Sequence, residues 1–452
     1  MPEVRPLTPD DIPAYSAIAG YAFNGTPERI RIYLEPPFAG RMLGVFSEGK
    51  LAAALMEFPF EVWLLGRLVE AVGVATIASA PETRRSGLVR ELMAGHLRRL
   101  RDEGVGLSLL YPFSFAFYER FGWSLAAQRV ELKVPPAEFA AYGRRVGRMR
   151  QLIYAEKGLF QPLGGETEES AIATLDRVYE REAARFNLAA RRTKEYWRNR
   201  VLQVDEGRRF AFVWEDDAGE VRGHVISRVT EEKDMAPLVV REIISTTPDG
   251  WRGLFFFLRC HESQHKHVRF VLPAGSPLLD LFGNPRIEES KVSPGVMARI
   301  VDVKRLLEAR GVGGEEGGAA EGGAASIPLR GSCLIRVHDQ LASWNDGTFA
   351  VRCDGRAVTV REVKAGDTMA GTAGTAGAAG VAGAADAVGV SSETTAAPDL
   401  DIDIGILSRV AVGARSLGDI LEFGLATGRP GPGLDFALSF FPARPIWHPE
   451  YY

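Results

Sequence analysis

The 452-residue chain carries 54 basic and 58 acidic side chains, a net charge of -4, with 46% hydrophobic and 25% charged residues. This is globular composition on a length that calls for two or three cores, and the near balance of charge excludes the basic face that a nucleic-acid backbone requires. No stretch approaches ~18 uninterrupted apolar residues, and Met1-Pro2-Glu3-Val4-Arg5 is no signal region, so a cytoplasmic protein without a membrane span is expected.

In chain order, residues 3–7 alternate like a short strand, and Thr8-Pro9-Asp10-Asp11 then opens a helix with a cap, a proline and an acid. Met42 to Phe46, Leu51 to Phe58 and Val69 to Ala78, separated by turns at 48–50 and 65–67, predict an antiparallel meander. Pro81 stops it. After Arg84-Arg85-Ser86-Gly87, the residues Leu88, Leu92, Met93, Leu97 and Leu100 share one helical face that ends at Gly104. Val105 to Tyr111 reads as a strand, Phe115 to Phe121 as a short helix closed by Gly122, and Trp123 to Val134 as a further strand.

From about 145 to 300 the plan repeats loosely. Helical segments at Glu168 to Phe186 and Lys194 to Leu202 precede strands at Phe210 to Glu215, Arg222 to Val229 and Val239 to Ser245, and Leu254 to Leu258 stands where the first half has its central helix. A duplication is implied. Beyond Lys304, strand-like Ser332 to His338, Gly347 to Cys353 and Ala357 to Val363 are followed by helix-like Ile404 to Val412 and Leu417 to Leu425. The Gly/Ala-rich tracts at 311–325 and 366–397 bury too little apolar surface to order themselves and are read as mobile loops. The expected division is 1–144, 145–300 and 301–452, in a mixed α/β (α+β) chain.

The turn at 84–89 carries the chemistry. A Gly that permits close approach, followed by a helix start with unpaired amides, favours an anion such as a pyrophosphate, and Arg84 and Arg85 add charge. The strand Ile77-Ala78-Ser79 before it can pair its amides with an extended amide-bearing arm. By itself an Arg-Arg-x-Gly turn is more often a solvated helix start than a site.

Ala80-Pro81-Glu82-Thr83-Arg84-Arg85-Ser86-Gly87-Leu88 and Phe117-Tyr118-Glu119-Arg120-Phe121-Gly122-Trp123 together resemble the GNAT acetyltransferases, and within them the Eis group. Arg299-Ile300-Val301-Asp302-Val303 and Trp344-Asn345-Asp346-Gly347 are similar to that group's pattern near the C-terminal domain. The resemblance implies a catalytic GNAT domain, a degenerate second GNAT domain and a sterol-carrier-like domain. It implies acetyl-CoA as cosubstrate, held by Ile77, Ala78, Ser79, Arg85, Ser86, Gly87, Leu88, Val89, Arg90, Phe113 and Ser114, and no metal. Tyr118 would be the general acid and the terminal carboxylate of Tyr452 the base, acting directly, through water, or by holding the ammonium. A primary amine of a small polycationic molecule, a polyamine or an aminoglycoside, would be the acceptor, and a homohexamer or trimer the assembly. Acidic side chains would then line the acceptor pocket.

Two departures stand out. Val89 replaces the Gly or Ala common at the end of the GNAT turn, as is usual in the Eis branch. Ser114-Phe115-Ala116 replaces an acid-Gly-Gly segment, which puts the shape of the acceptor pocket in question. Other signals are discounted: His261 and His265 share a helical face without a third metal ligand, His448 could help shape the site but is more commonly a surface imidazole, Cys260, Cys333 and Cys353 are read as buried free thiols, and Thr247 to Gly253 as a relic turn lacking paired arginines. The alternatives to small-molecule transfer are an acyl-CoA or lipid-binding protein without turnover and an acetyltransferase of protein lysines or N-termini.

Overall fold

The computed structural model describes residues 2–26, 41–204, 207–229, 235–282, 284, 289–311, 329–364 and 397–450. The two Gly/Ala-rich tracts, apart from Gly311 and Ala397, and Tyr452 lie outside the described residues. No described helix is long and apolar enough to cross a membrane.

The first sheet is built from β1 (Glu3–Pro6), β2 (Arg41–Ser47), β3 (Lys50–Leu64), β4 (Arg67–Ser79), β5 (Leu107–Leu110) and β6 (Ser124–Leu125). Helix α1 (Ile12–Ala22) precedes β2, α2 (Leu88–Asp102) links β4 to β5, and α3 (Phe115–Glu119) follows β5. The apolar face read from the sequence of α2 packs against the sheet: Leu88, Leu92, Met93, Leu97 and Leu100 are all buried with Leu43, Val45, Leu55 and Val72. Burial of five such side chains contributes on the order of 1.5–3 kcal/mol each, which outweighs the propensity terms of a 15-residue helix.

The second sheet contains β7 (Gln128–Val134), β8 (Arg148–Glu156), β9 (Leu159–Pro162), β10 (Arg208–Glu215), β11 (Val221–Val229), β12 (Leu238–Ser245), β13 (Val268–Pro273) and β14 (Glu289–Pro294). Helix α4 (Glu168–Ala183) covers one face and α5 (Pro248–Arg259) the other. The segment read as one strand from Trp123 to Val134 is in fact two. The amides of Ala126 and Ala127 both donate to the Val296 carbonyl, and there the chain leaves the first sheet for the second. Conversely β15 (Met297–Ile300), which follows the second sheet in sequence, inserts between β5 and β6. The two halves therefore exchange strands.

The third unit has a five-stranded sheet, ordered β18 (Val358–Val363), β17 (Gly347–Asp354), β16 (Arg330–His338), β19 (Leu400–Asp403) and β20 (Ala426–Gly428). Around it lie α6 (Val303–Arg310), α7 (Ile404–Ala411), α8 (Leu417–Glu422) and α9 (Pro432–Phe440). Its core is continuous with Val62, Leu64, Val69 and Ala71 of the first unit. The joint is polar at its centre: fully buried Arg299 donates to Asp339 at 2.6 Å and to the carbonyl of Phe121, while Asn345 bridges Asp339, the Val301 carbonyl and the Val303 amide. Four of those residues belong to the segments 299–303 and 344–347. Cys333 and Cys353 are buried, whereas Cys260 is exposed just past the end of α5.

Candidate active site

The geometry begins with β4. Its parallel pairing with β5 runs only from Ala71↔Leu107 to Val74↔Leu110, so beyond Val74 it is hydrogen-bonded to β3 alone and the two strands part. An extra residue on β4 between the pairs Ala54↔Ala78 and Met56↔Ala75 makes a bulge there, with Thr76 in the left-handed region at φ 51°. The hydroxyl of fully buried Tyr15 donates to the Thr76 carbonyl at 3.2 Å and ties the bulge to α1. Ile77, Ala78 and Ser79 thus present an open strand edge toward the split, which an amide-bearing chain can join as an added strand.

At the end of that edge stands the turn. Arg85 at φ 65° and Gly87 at φ 86° both lie in the left-handed region, and Gly87 is the N-cap residue of α2 without any side-chain cap. The Ser86 hydroxyl is turned back onto the Thr83 carbonyl at 2.5 Å, so it does not compete for the helix start. No acceptor among the described residues takes the amides of Ser86, Gly87 or Leu88. Around a beta carbon placed on Gly87 nothing comes within 4 Å, so the space above the turn is open. Arg84, Arg85 and Ser86 are exposed, Leu88 is buried and Val89 partly buried. Arg90 is engaged elsewhere: its side chain donates to the Gln340 carbonyl of the third unit at 2.8 Å.

Across the split, Tyr111 is the first residue past β5. Phe113, 74% exposed, and Ser114, which caps α3 through the Phe117 amide, follow it. The Phe113 and Phe117 rings meet Tyr118 edge-on at 5.4 and 5.0 Å. Tyr118 is 4% exposed, and no hydrogen bond of its hydroxyl is made among the described residues. Burial pushes its phenol well above the ordinary value, so it is a neutral donor across the working pH range.

The tail arrives from the opposite side. Residues 445–447 run beside 187, with Asn187 N–H donating to the Pro445 carbonyl at 2.9 Å and Trp447 N–H to the Asn187 carbonyl at 3.1 Å. His448 is half-buried rather than a surface imidazole. Its Nδ1 lies 2.7 Å from the Leu188 carbonyl, and burial lowers its pKa. The Tyr111 hydroxyl contacts the carbonyls of Glu450 at 2.5 Å and His448 at 3.2 Å. The Glu450 carboxylate itself is buried and accepts from Arg192 Nε at 2.6 Å.

Arg192 in turn pairs with Glu242 at 2.6 and 3.1 Å, and His224 Nε2 lies 2.8 Å from the same carboxylate. The Arg192 guanidinium lies over the rings of Tyr179 and Trp197, at 3.7 and 4.5 Å from their centroids. Burial opposes ionisation of Glu242, yet Arg192 and His224 hold its carboxyl down at about 2. This cluster, together with Tyr111, is absent from the sequence reading.

A second hydrogen-bonded chain has the composition of a hydrolytic triad. His96 Nδ1 is 2.7 Å from Glu57 Oε1 and its Nε2 3.0 Å from Ser108 Oγ. All three side chains are inaccessible, so the arrangement holds α2 on the sheet and offers no nucleophile. His261 and His265 each place Nδ1 on a backbone carbonyl, of Phe257 and Ala236, and no cluster of three metal-ligating side chains occurs among the described residues.

A split parallel pair, a bulged strand before it and an uncapped helix start after it leave an open strand edge beside unpaired amides. By family models, residues 3–126 and 188–300 each match an acetyltransferase (GNAT) domain, and 303–449 a sterol carrier protein domain. The chain belongs to the GNAT acetyltransferases, with tandem GNAT domains. Its three-domain architecture places it in the Eis-like group of that family. An uncharacterized N-acetyltransferase of Streptomyces avermitilis is 26% identical over 291 residues, 62% of this chain and 66% of that protein. The N-acetyltransferase Eis of Mycobacterium tuberculosis is 26% identical over 256 residues, 54% of this chain and 58% of that one. The chain thus spans about three fifths of the length of these curated relatives. Among solved structures, a GCN5-related N-acetyltransferase from Anabaena variabilis superposes at TM-score 0.78 with 16% identity, and Eis1 from Mycobacterium abscessus at 0.70 with 18%, each over all of both chains.

Proposed function

We propose that this chain moves the acetyl group of acetyl-CoA to a primary amine of a small molecule in its first domain. The observation that carries the reading is the uncapped, amide-bearing start of α2 at the end of an open strand edge. The pyrophosphate would rest on the amides of residues 85–89, the pantetheine arm along Ile77, Ala78 and Ser79, and the thioester near Phe113 and Ser114.

The amine nitrogen attacks the thioester carbon, the C–N bond forms, and collapse of the tetrahedral intermediate breaks the C–S bond. Tyr118 donates its proton to the departing thiolate. The ammonium proton goes to the carboxylate of Tyr452, directly or through water; the docked tail at 445–450 supports this by bringing the chain beside Tyr111. Polycationic amines of the polyamine or aminoglycoside kind are the acceptors that the family resemblance implies, in a cytoplasmic homo-oligomer.

Release of free thiol from acetyl-CoA, followed with spermidine, an aminoglycoside and a lysine peptide, tests the reading. Turnover with one of the first two is expected; no release with any amine removes the enzyme assignment. Turnover with the peptide alone transfers it to protein acetylation. Amidating Tyr452 should cut turnover sharply, and unchanged turnover removes the carboxylate from the reaction.

A further inference from the structure

A cavity lies in the second domain, away from the turn at 84–89. Its volume is about 590 Å³, within the ~300–1,000 Å³ range of small-molecule sites. It opens where β12 and β13 part. Their parallel pairing covers only Leu238↔Val268 to Val240↔Phe270, and an extra residue on β12, Arg241, makes a bulge at that point. One wall is the docked tail, Ile446 to Pro449, with Tyr111.

The charge of this cavity differs from that expected for a polycation site. Arginines 129, 185, 209, 228 and 241 line it against two acids, Glu182 and Glu242. Both acids are already matched, Glu182 by Arg185 and Glu242 by Arg192 and His224. Arg228 and Arg241 make no ion pair or side-chain hydrogen bond among the described residues. Moreover, Arg209 stands directly opposite Arg228 in the antiparallel pair β10–β11. Trp251, Val271 and Leu278 supply an apolar wall beside the guanidinium groups.

We propose that this cavity is a binding site for an amphiphilic organic anion, a carboxylate or phosphate head on an apolar body, with Arg228 and Arg241 as the head-group ligands. The occupant is distinct from acetyl-CoA. The helix start that would take a pyrophosphate here, at α5, is occupied by its own Thr247 cap and carries Asp249 in its first turn. The same guanidinium groups repel polyamines, so a polycationic acceptor reaches the first domain by another face.

Calorimetric titration of the full chain, saturated with CoA, with octanoate, octyl phosphate and octylamine tests the proposal. Saturable binding of octanoate or octyl phosphate is expected, the stronger of the two identifying the head group, with octylamine at least tenfold weaker. The R228Q/R241Q double variant should lose at least tenfold in affinity for the anion while keeping its melting temperature and its turnover with acetyl-CoA. A second variant, V271W, narrows the apolar end and should also lose binding. Equal binding of octylamine, unchanged affinity in both variants, competition between CoA and the anion, or no binding of either anion at millimolar concentration overturns it.

Discussion

The two GNAT domains share a plan down to the bulge, and yet only one of them ends its split at a helix start whose amides are left unpaired among the described residues. In the first, the strand before the split bulges at Thr76 and the following helix starts at uncapped Gly87. In the second, the strand bulges at Arg241 and the helix starts at Thr247, whose hydroxyl accepts from the Gly250 amide at 3.1 Å. Gly87 has open space above it, whereas a beta carbon on Gly250 would fall 2.1 Å from Ser245 Oγ. The first glycine serves a left-handed backbone conformation and leaves space open above it; the second serves packing. Both domains bring a helix start to the end of the split, and the proposed phosphate site depends on the helix amides being left unpaired.

The strongest way to break this comparison is at Tyr118. If the first domain holds the chemistry, Tyr118→Phe should lower kcat by roughly 10²–10⁴ with little change in KM for acetyl-CoA and in melting temperature, since the hydroxyl makes no hydrogen bond among the described residues. Steady-state kinetics and a thermal melt read both. A variant with near-normal kcat would take the acid from this residue.

The second domain should respond in stability instead. Arg192→Leu leaves Glu242 and Glu450 buried without their shared cation, an effect of about 3–5 kcal/mol for a broken buried pair, measured by denaturant unfolding. The same cluster sets an acid limit. Because Glu242 has its carboxyl held at about 2, below the ~4.3 of an unfolded glutamate, the stability it contributes is present above about pH 4.3 and is lost as pH falls through 2. Glu242→Gln should flatten that part of the unfolding curve. An unaltered acid profile would mean that the cluster does not couple to folding.

How much of this was legible in the chain follows from range. The face of α2 and the need for Gly87 are local: a 3.6-residue repeat and a left-handed turn can be read from neighbouring residues. The GNAT motifs are local too, and they led to the family. The strand exchange is not local. Residues 297–300 make a strand too short to indicate which sheet it joins, and its neighbours β5 and β6 are set by tertiary packing. Arg192 and Glu450 stand 258 positions apart in polar segments, so nothing in either segment names the other. The arginines of the second cavity lie on four strands and in the turn after α4, and only the register of β10 with β11 reveals that two of them oppose each other. His448 was expected at the surface as the commoner place for an imidazole near the terminus; the pairing of 445–447 with Asn187 draws it in.

The smallest expected effect sharpens the comparison most directly. Thr247→Ala removes the cap of α5 and should cost about 1 kcal/mol of stability, while KM for acetyl-CoA stays unchanged because that helix start lies outside the proposed cofactor site. The freed Gly250 amide does not by itself create a phosphate site, since Asp249 places a negative charge in the same first turn. Adding Asp249→Ser removes that charge and leaves the α5 start as bare as that of α2, but still without the paired arginines of 84 and 85. If the double variant then binds inorganic pyrophosphate in calorimetry with the first site blocked by CoA, unpaired amides suffice for recognition. If it does not, Arg84 and Arg85 are what separate the two domains, and the charge of the turn outranks its geometry.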